Sequence, residues 1–415
     1  MASAMATESQ IFDALRAVGA TGKVPRVVAS GNASVPWELL GMADAALPSW
    51  RLNMLNAPAG VPSREGIVHE TSFVGPGMRS SSTLSYVPAR LSLVPRLFHR
   101  TLPPDIVLVH TSAPIDGKVS LGVEVNILPA AIEACRARGG LIFAQANPNM
   151  PYTFGDGEFT TGVFDAILPV DVPIATTSGP PSPPTGAFAH IGKLCAARVS
   201  SGATLQLGIG AVPDATLPGL TRLSRLGVWT EMFSDGLLAL DGHGALDPDR
   251  AVVGSFAAGS EELLRWCHRN ERLRMLRTET VNNPTNVARQ PRMTSINTAL
   301  EVDLFAQANA SRRNARIHSG FGGQTDFIVG ALHSHGGQAI LALRSWHPKA
   351  DVSTIVPLVD EPVTSFQPSA IVTEQGVAEI AGFDEKAQAQ AIIEHGAHPS
   401  VRAELWEEAG YLGLA

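Results

Sequence analysis

Cysteine and long apolar runs are both scarce in this chain of 415 residues. The three cysteines, Cys135, Cys195 and Cys267, lie far apart and form no Cys-x-x-Cys pair, which favours a reducing compartment over a disulfide framework. Each is expected to be a small, buried apolar residue. No run approaches the roughly 18 apolar residues of a membrane span, and the N-terminus lacks the pattern of a signal peptide. We therefore expect a cytoplasmic protein with no membrane partner.

An excess of positive charge is also missing. Lysine and arginine number 31 against 38 aspartates and glutamates, which gives a formal net charge of −7. Without a basic patch, nucleic acid is not an expected partner. The hydrophobic fraction of 45% is that of an ordinary globular protein, and the length predicts two domains.

The alternation of strands and helices predicts the fold class. In the first half, a strand over residues 105–110, a helix over 128–138 and a strand over 141–146 indicate a βαβ unit and a parallel sheet. Residues 175–186, rich in proline, serine, threonine and glycine, form the best linker. We place one α/β domain at residues 1–180 and a second at 187–415.

The second half repeats the α/β pattern. It predicts a helix over residues 188–199, a strand over 204–207 and another strand running up to residue 231. Residues 385–405 are predicted to form a helical tail. Both domains are therefore expected to be open α/β structures.

A single carboxylate, Glu231, follows an apolar run in residues 226–236, which read LGVWTEMFSDG. The carboxyl ends of strands are where open α/β sheets bind ligands. Glu231 at such a position could be a nucleophile, a general base, a metal ligand or a structural carboxylate. Trp229 lies two residues earlier, so in a continuous strand its side chain points to the same side as Glu231.

Two glycine-rich loops also follow predicted strands. Residues 205–213 read LQLGIGAVP, and residues 319–324 read SGFGGQ. Glycines allow backbone N–H groups to approach a ligand, although the first loop alone is equally consistent with a tight turn. The first loop lacks the third glycine of a dinucleotide-binding motif and the lysine of a P-loop. Two such loops and a strand-end carboxylate suggest an oxyanion-binding site for acyl chemistry.

Other chemistries have weaker support. His333 and His335 could bind a metal, but no third ligand lies at a typical spacing, so no metal is expected. There is no Gly-x-Ser-x-Gly motif, which disfavours a serine hydrolase.

Taken together, these stretches resemble the acetyl-CoA hydrolase/transferase group of family I CoA-transferases. The resemblance covers most of the chain in order and is weak over the first eighty residues. The matching segments are 120–123 (SLGV), 147–151 (NPNMP), 205–213, 229–236, 282–284 (NNP), 296–303 (INTALEVD), 319–327, 355–357 (IVP) and 372–378 (VTEQGVA).

The resemblance implies two α/β domains of similar topology with the active site between them, and a homo-oligomer. It implies Glu231 as the catalytic nucleophile, with oxyanion contacts from the backbone of Ile209 and Gly323 and from the amide of Asn282. Coenzyme A and acyl-CoA are implied as substrates, with no tightly bound cofactor. The implied CoA contacts are Gly208, Ile209, Gly210, Ala211, Val212, Ser319, Phe321, Gly322 and Gly323, and Glu374 is implied near the substrate.

The sequence departs from the family pattern at two places. Trp229 stands where the family often has histidine, and this bulky side chain is expected to narrow the acyl pocket. The family's CoA-contacting lysine aligns with Pro348, so Lys349 is a shifted candidate for that contact. The implied activity is transfer of CoA from an acyl-CoA to a small carboxylate, such as acetate or 4-hydroxybutyrate, through a glutamyl-CoA thioester. An acyl-CoA hydrolase and a non-catalytic acyl-CoA-binding protein remain the alternatives.

Overall fold

The computed structural model describes residues 7–177, 184–206, 208 and 210–415. The chain forms two compact units, one of residues 1–179 with 253–281 and the other of residues 180–252 with 282–415. The expected linker, residues 175–186, lies partly outside the described residues.

The segment 253–281 departs from the expected division, because it belongs to the first unit although the sequence placed it in the second. The backbone N–H groups of Val125 and Asn126 donate to the carbonyl oxygen of Ser255, and Arg277 binds the carboxylate of Glu133 at 2.8 Å. Such contacts join residues far apart in the chain, so a linker signal in the sequence could not reveal them.

In residues 7–177, the elements are α1 (Glu8–Gly19), β1 (Arg26–Ala29), α2 (Trp37–Ala46), β2 (Trp50–Asn53), β3 (Ile67–Thr71), β4 (Leu84–Tyr86), α3 (Val94–Phe98), β5 (Ile106–Ser112), β6 (Lys118–Ser120), α4 (Leu128–Ala137), β7 (Leu141–Asn147), β8 (Glu158–Thr160) and β9 (Ala166–Pro169). In residues 184–281, they are α5 (Gly186–Ala197), β10 (Thr204–Gln206), α6 (Ala211–Leu220), β11 (Gly227–Trp229), β12 (Met232–Phe233), α7 (Gly236–Gly242), β13 (Val252–Gly254), β14 (Phe256–Ala257), α8 (Glu261–Cys267), β15 (Leu273–Met275) and α9 (Thr278–Val281).

In residues 282–415, the elements are α10 (Pro284–Ala288), β16 (Met293–Asn297), β17 (Glu301–Asp303), β18 (Ala308–Asn309), β19 (Arg312–Arg313), β20 (Arg316–Ile317), α11 (Gln324–His333), β21 (Gln338–Ala342), β22 (Trp346–His347), β23 (Val352–Ser353), β24 (Ile355–Val356), β25 (Ala370–Thr373), β26 (Gly376–Glu379), α12 (Glu385–Ala391) and α13 (Arg402–Tyr411). Short 3₁₀ turns occur at Leu91–Leu93, Thr161–Val163 and Pro399–Val401.

The first unit is built on a parallel sheet with the strand order β4-β3-β2-β1-β5-β7-β9. All seven residues of β5 are buried, as expected for a strand covered on both faces. The strand order reverses direction between β1 and β5. The βαβ unit predicted from the sequence is confirmed in β5, α4 and β7.

The second unit contains the strand order β11-β10-β16-β21-β25-β26, which is parallel except for the hairpin of β25 and β26. Here the order reverses between β10 and β16. Ligands bind beyond the carboxyl ends of strands near such reversals, which lie here at β10 and β16, and β11 is the next strand beside β10.

Helices α5 and α6 cover one face of the second sheet. Their apolar residues pack with sheet residues in one buried cluster, whose members are Ile191, Cys195, Val212, Ile296, Ile340, Ala342 and Val372. The two helices approach closely through glycines: a Cβ atom on Gly192 would lie 2.1 Å from the carbonyl oxygen of Ala215, and one on Gly219 would lie 2.3 Å from Ala196 Cβ. Glycine at these positions therefore fixes the distance between the helices.

The helical tail predicted over residues 385–405 is interrupted. Helix α12 ends at Ala391, a π-helical turn follows at Ile392–Gly396, and α13 begins only at Arg402. Ala397 is extended, and Pro399 has no N–H group to continue a helix. The prediction of one continuous helix was wrong because it gave Gly396 and Pro399 too little weight.

All three cysteines are buried and unpaired, as the sequence predicted. Burial raises the pKa of each thiol to about 12. Across the described ranges, every helix is too short or too polar to cross a membrane.

The close contact of α5 and α6 gives a stability prediction. Gly192→Ala should lower the free energy of unfolding by about 1–3 kcal/mol, since the added methyl group meets backbone atoms that cannot rotate away. Urea unfolding of the variant checks this. Gly242→Ala is the control, because a Cβ atom on Gly242, at the end of α7, would meet no atom within 4 Å, and alanine favours the helix. Equal stability of the two variants would contradict the packing argument.

Candidate active site

Glu231 lies in a bend directly after the carboxyl end of β11. The strand ends at Trp229, and the buried Thr230 hydroxyl donates to the carbonyl oxygen of Met232 at 2.8 Å, which closes the bend. The sequence analysis predicted that the strand runs to residue 231, and that boundary was wrong. Because Glu231 lies beyond the strand, the alternation of side chains along a strand does not place the half-buried Trp229 on the same side as Glu231.

Asn282 contacts the Glu231 carboxyl directly. This residue follows α9, is fully buried, and donates a hydrogen bond from Nδ2 to Glu231 Oε2 at 2.5 Å. Its Oδ1 atom has no hydrogen-bond partner in the part of the chain that the structure describes. The next residue, Asn283, caps α10 by accepting from the Thr285 N–H at 2.9 Å. The cap holds the turn in which Asn282 lies.

Gly323 lies against the same carboxyl. It is the N-cap of α11, and a Cβ atom there would lie 1.9 Å from Glu231 Oε2 and 2.2 Å from Asn282 Nδ2. The φ angle of −98° suits any residue, so the requirement for glycine is one of space. Three residues far apart in sequence, 231, 282 and 323, thus meet within one unit of the chain.

The surroundings of Glu231 change its acidity. Burial raises the pKa of this carboxyl from 4.5 to about 7, the Asn282 hydrogen bond opposes that rise, and the negative charge of Asp326 adds to it. Asp326 is itself buried in the first turn of α11. A desolvated carboxyl with a pKa near neutrality can act as a nucleophile or as an acid–base group.

The first glycine loop leads into α6. Gly210 is the N-cap of the helix, with a φ of 111° that favours glycine, and Ala211 and Val212 form its first turn. Gly208 borders a small open pocket lined by Gly208, Pro213, Asp214, Leu217, Ser234, Gly236 and Leu237. Ile209 lies outside the described residues, so its expected oxyanion contact stays a prediction.

The second glycine loop leads into α11. Gly322 has a φ of 55°, and Phe321 is half-buried. Ser319 is also half-buried and donates from its hydroxyl to the carbonyl oxygen of Ala310 at 3.2 Å. The loop therefore brings Gly323 to the carboxyl, while Ser319 is hydrogen-bonded to Ala310 in the turn between β18 and β19.

Glu374 follows β25 and is held by Ser345. The Ser345 N–H donates to Oε2 at 2.9 Å, and its hydroxyl donates to Oε1 at 2.5 Å. Burial by itself would raise the pKa of Glu374, but these hydrogen bonds outweigh it and the pKa is lowered. Glu374 is therefore an ionised carboxylate at neutral pH, whereas Glu231 is only partly ionised there.

Lys349, expected to contact CoA, is exposed in the turn between β22 and β23. Sequence reasoning missed two polar partners, Asp326 and Ser345. Asp326 lies in the matched segment 319–327, so that segment carried a signal that was not used. Across the described residues, no group of three or more histidine, cysteine, aspartate or glutamate side chains could hold a metal ion.

Comparison with known proteins identifies the family. A sequence model of the acetyl-CoA hydrolase/transferase C-terminal domain matches residues 259–409. The 4-hydroxybutyrate coenzyme A transferase of Clostridium kluyveri is 35% identical over 86% of this chain and 86% of its own length. The chain belongs to the acetyl-CoA hydrolase/transferase family of CoA-transferases.

Other similar proteins match most or about half of the chain. The succinyl-CoA:acetate/propanoyl-CoA:succinate CoA transferase of Fasciola hepatica is 35% identical over 82% of this chain and 74% of its own. The crystal structure of a 4-hydroxybutyrate CoA-transferase from Porphyromonas gingivalis, 29% identical, matches 98% of this chain and 100% of its own with a TM-score of 0.80. An acetyl-CoA hydrolase of Saccharomyces cerevisiae is 35% identical over 48% of this chain and 39% of its own.

The contact between Gly323 and Glu231 gives the second prediction. Gly323→Ala should push the Glu231 carboxyl out of its place and break the Asn282 hydrogen bond, because the methyl group would occupy the position of Oε2. Burial is the largest cause of the raised pKa, so a displaced carboxyl that gains solvent should titrate closer to 4.5. Carbon-13 NMR titration of Glu231 measures this, with Gly242→Ala as the control. An unchanged pKa in Gly323→Ala would contradict the geometry.

Proposed function

We propose that this protein transfers CoA from an acyl-CoA to a small carboxylate, with Glu231 as the nucleophile. The observation that carries the proposal is the desolvated Glu231 carboxyl held against Asn282 and Gly323. A carboxylate is a weak nucleophile in water, and it becomes useful when it is desolvated and oriented against a thioester.

The first half-reaction has two steps. Glu231 attacks the thioester carbonyl and expels the CoA thiolate, which leaves an acyl-glutamyl anhydride. The thiolate then attacks the glutamyl carbonyl and expels the acyl group as a free carboxylate, so CoA is held on Glu231 as a thioester. In the second half-reaction a new carboxylate attacks the glutamyl thioester and the steps run in reverse.

Each tetrahedral intermediate carries an oxyanion that needs donors. We assign this role to the backbone N–H groups of Gly323 and Ile209 and to the side-chain amide of Asn282. Gly323 begins α11, so its N–H belongs to the positive end of a helix. Loss of one such donor typically costs about 3–4 kcal/mol of barrier.

Several further expectations belong to this proposal. Every step exchanges one acyl bond for another, so no tightly bound cofactor, ATP or metal is required. The CoA contacts fall on Gly208, Gly210, Ala211, Val212, Ser319, Phe321, Gly322 and Gly323, and Trp229 and Glu374 lie near the acyl group. The buried free cysteines favour a cytoplasmic location, and a homo-oligomer is the expected assembly.

Hydrolysis is the second candidate, since water could replace the acceptor at the same site and an acetyl-CoA hydrolase is among the similar proteins. Incubation with acetyl-CoA, with and without small carboxylates, separates the candidates. A transferase forms a new CoA ester, a hydrolase releases only CoA, and a non-catalytic binder does neither.

Replacement of the nucleophile is the third prediction. Glu231→Gln is nearly isosteric, but its amide is a far weaker nucleophile, so transfer should fall by several orders of magnitude while CoA binding survives. Glu404→Gln, an exposed position in α13, is the matched control. Near-native transfer by Glu231→Gln would disprove the mechanism.

The covalent intermediate can be trapped in the same experiment. Acyl-CoA without acceptor should leave CoA on Glu231, and borohydride reduction should give a mass loss within residues 229–236. The cysteine thiols, with pKa values raised to about 12 by burial, are poor competing nucleophiles. An adduct that maps to a cysteine would contradict the assignment.

The raised pKa of Glu231 gives the fourth prediction. Only the ionised carboxyl attacks, so kcat/KM should rise with pH up to about 7 and then level. Asp326→Asn removes a negative charge that raises this pKa, so the rising limb should move to lower pH. The pH profile of kcat/KM measures both, and Glu404→Gln should leave the limb in place. A limb that moves to higher pH in Asp326→Asn would contradict the electrostatic argument.

A further inference from the structure

The guanidinium of Arg344 lies against an aromatic ring. Its Cζ atom lies 5.1 Å from the centroid of the Phe188 ring, and the residue is half-buried. Among the described residues, no carboxylate pairs with this guanidinium, whereas Arg198 is paired with Glu379 and Arg277 with Glu133. The ring holds the guanidinium in place, and its fork of N–H donors remains available for an anion.

Arg344 lies at the edge of the sheet where the catalytic carboxyl also lies. It follows β21 by two residues, at the carboxyl end of that parallel strand, and Glu231 follows the carboxyl end of β11 in the same sheet. Phe188 packs against the buried cluster under α5 and α6. The contact with Phe188 therefore places the guanidinium on the side of the sheet that α5 and α6 cover.

The first turn of α6 lies on that side as well. Val212 belongs to the same buried cluster, and α6 begins at Gly210 after the first glycine loop. The N-terminus of a helix attracts phosphate through its free N–H groups and its dipole. A fixed guanidinium and the N-terminus of a ten-residue helix thus lie on the same side of one sheet edge, and each attracts phosphate.

We propose that Arg344 binds a phosphate group of the CoA substrate. The inference rests on the proposed function, since CoA is the phosphate-bearing substrate of the transfer. Guanidinium matches phosphate geometry by two parallel hydrogen bonds, and both the diphosphate and the 3′-phosphate of CoA offer that geometry. Lys349, the cation that the sequence suggested, stands in the exposed turn of the β22–β23 hairpin and is the competing assignment.

The test compares ligands that differ in phosphate content. KM and calorimetric affinity are measured for acetyl-CoA, its 3′-dephospho analogue and S-acetylpantetheine, which has no phosphate. Arg344→Gln should lower the affinity for acetyl-CoA about tenfold or more, as expected for a lost charge-assisted hydrogen bond. The kcat and the affinity for S-acetylpantetheine should not change. Arg222→Gln is the matched control, because Arg222 is exposed just beyond the far end of α6. Arg344→Lys, which keeps the charge without the fork, should restore part of the affinity.

The analogues also locate the phosphate. If Arg344 binds the 3′-phosphate, Arg344→Gln should leave the affinity for the 3′-dephospho analogue unchanged. If Arg344 binds the diphosphate, the affinities for acetyl-CoA and for the dephospho analogue should fall equally. Phe188→Leu removes the ring but keeps the charge of Arg344, so it should lower the affinity for acetyl-CoA less than Arg344→Gln does. If Arg344→Gln fails to fold, the same comparison of ligands is made with Phe188→Leu.

Three results would overturn the inference: unchanged acetyl-CoA affinity, equal weakening of S-acetylpantetheine, or a change confined to KM of the carboxylate acceptor. Loss of affinity in Lys349→Gln but not in Arg344→Gln would give the role to Lys349. Failure of the proposed function is distinct, because the unsubstituted protein would then form no new CoA ester from acetyl-CoA and a carboxylate, whatever its affinity for CoA.

Discussion

Desolvation of one carboxyl is the constraint on which the proposed chemistry depends. Burial raises the pKa of the Glu231 carboxyl to about 7, and Asn282 and Gly323, which has no room for a side chain, lie against that carboxyl. The same loss of water that makes ionisation costly makes the ionised form more reactive. The Asn282 hydrogen bond limits the cost, so a useful fraction of the carboxyl is ionised at neutral pH.

The fold supplies this environment by bringing loops from distant parts of the chain together at one edge of the sheet. Glu231 follows a parallel strand, and Gly323 begins the helix α11. Parallel strands place their carboxyl ends side by side, so loops distant in sequence meet there. The two carboxyls at this edge differ in pKa because burial raises that of Glu231 against one hydrogen bond from Asn282, whereas the hydrogen bonds from Ser345 help lower that of Glu374.

Close helix packing on the α5 and α6 side supports the same edge. Gly192 and Gly219 let the two helices approach each other, and Val212 connects the first turn of α6 to the buried cluster. Phe188 packs against that cluster, and its ring contacts the Arg344 guanidinium. Packing of apolar residues thus positions the charged group that we assign to CoA recognition.

The sequence by itself determined the α/β class and the βαβ units, because apolar runs and turn residues are local signals. Its motifs also singled out Glu231 and the loop of Gly323, and the family resemblance implied Asn282. Only the tertiary structure decided that these three touch, that 253–281 folds with the first unit, and that Asp326 acts on the pKa of Glu231. Those outcomes depend on distances between residues far apart in the chain, and desolvation depends on everything that surrounds a group. A local sequence pattern contains neither these distances nor the degree of desolvation.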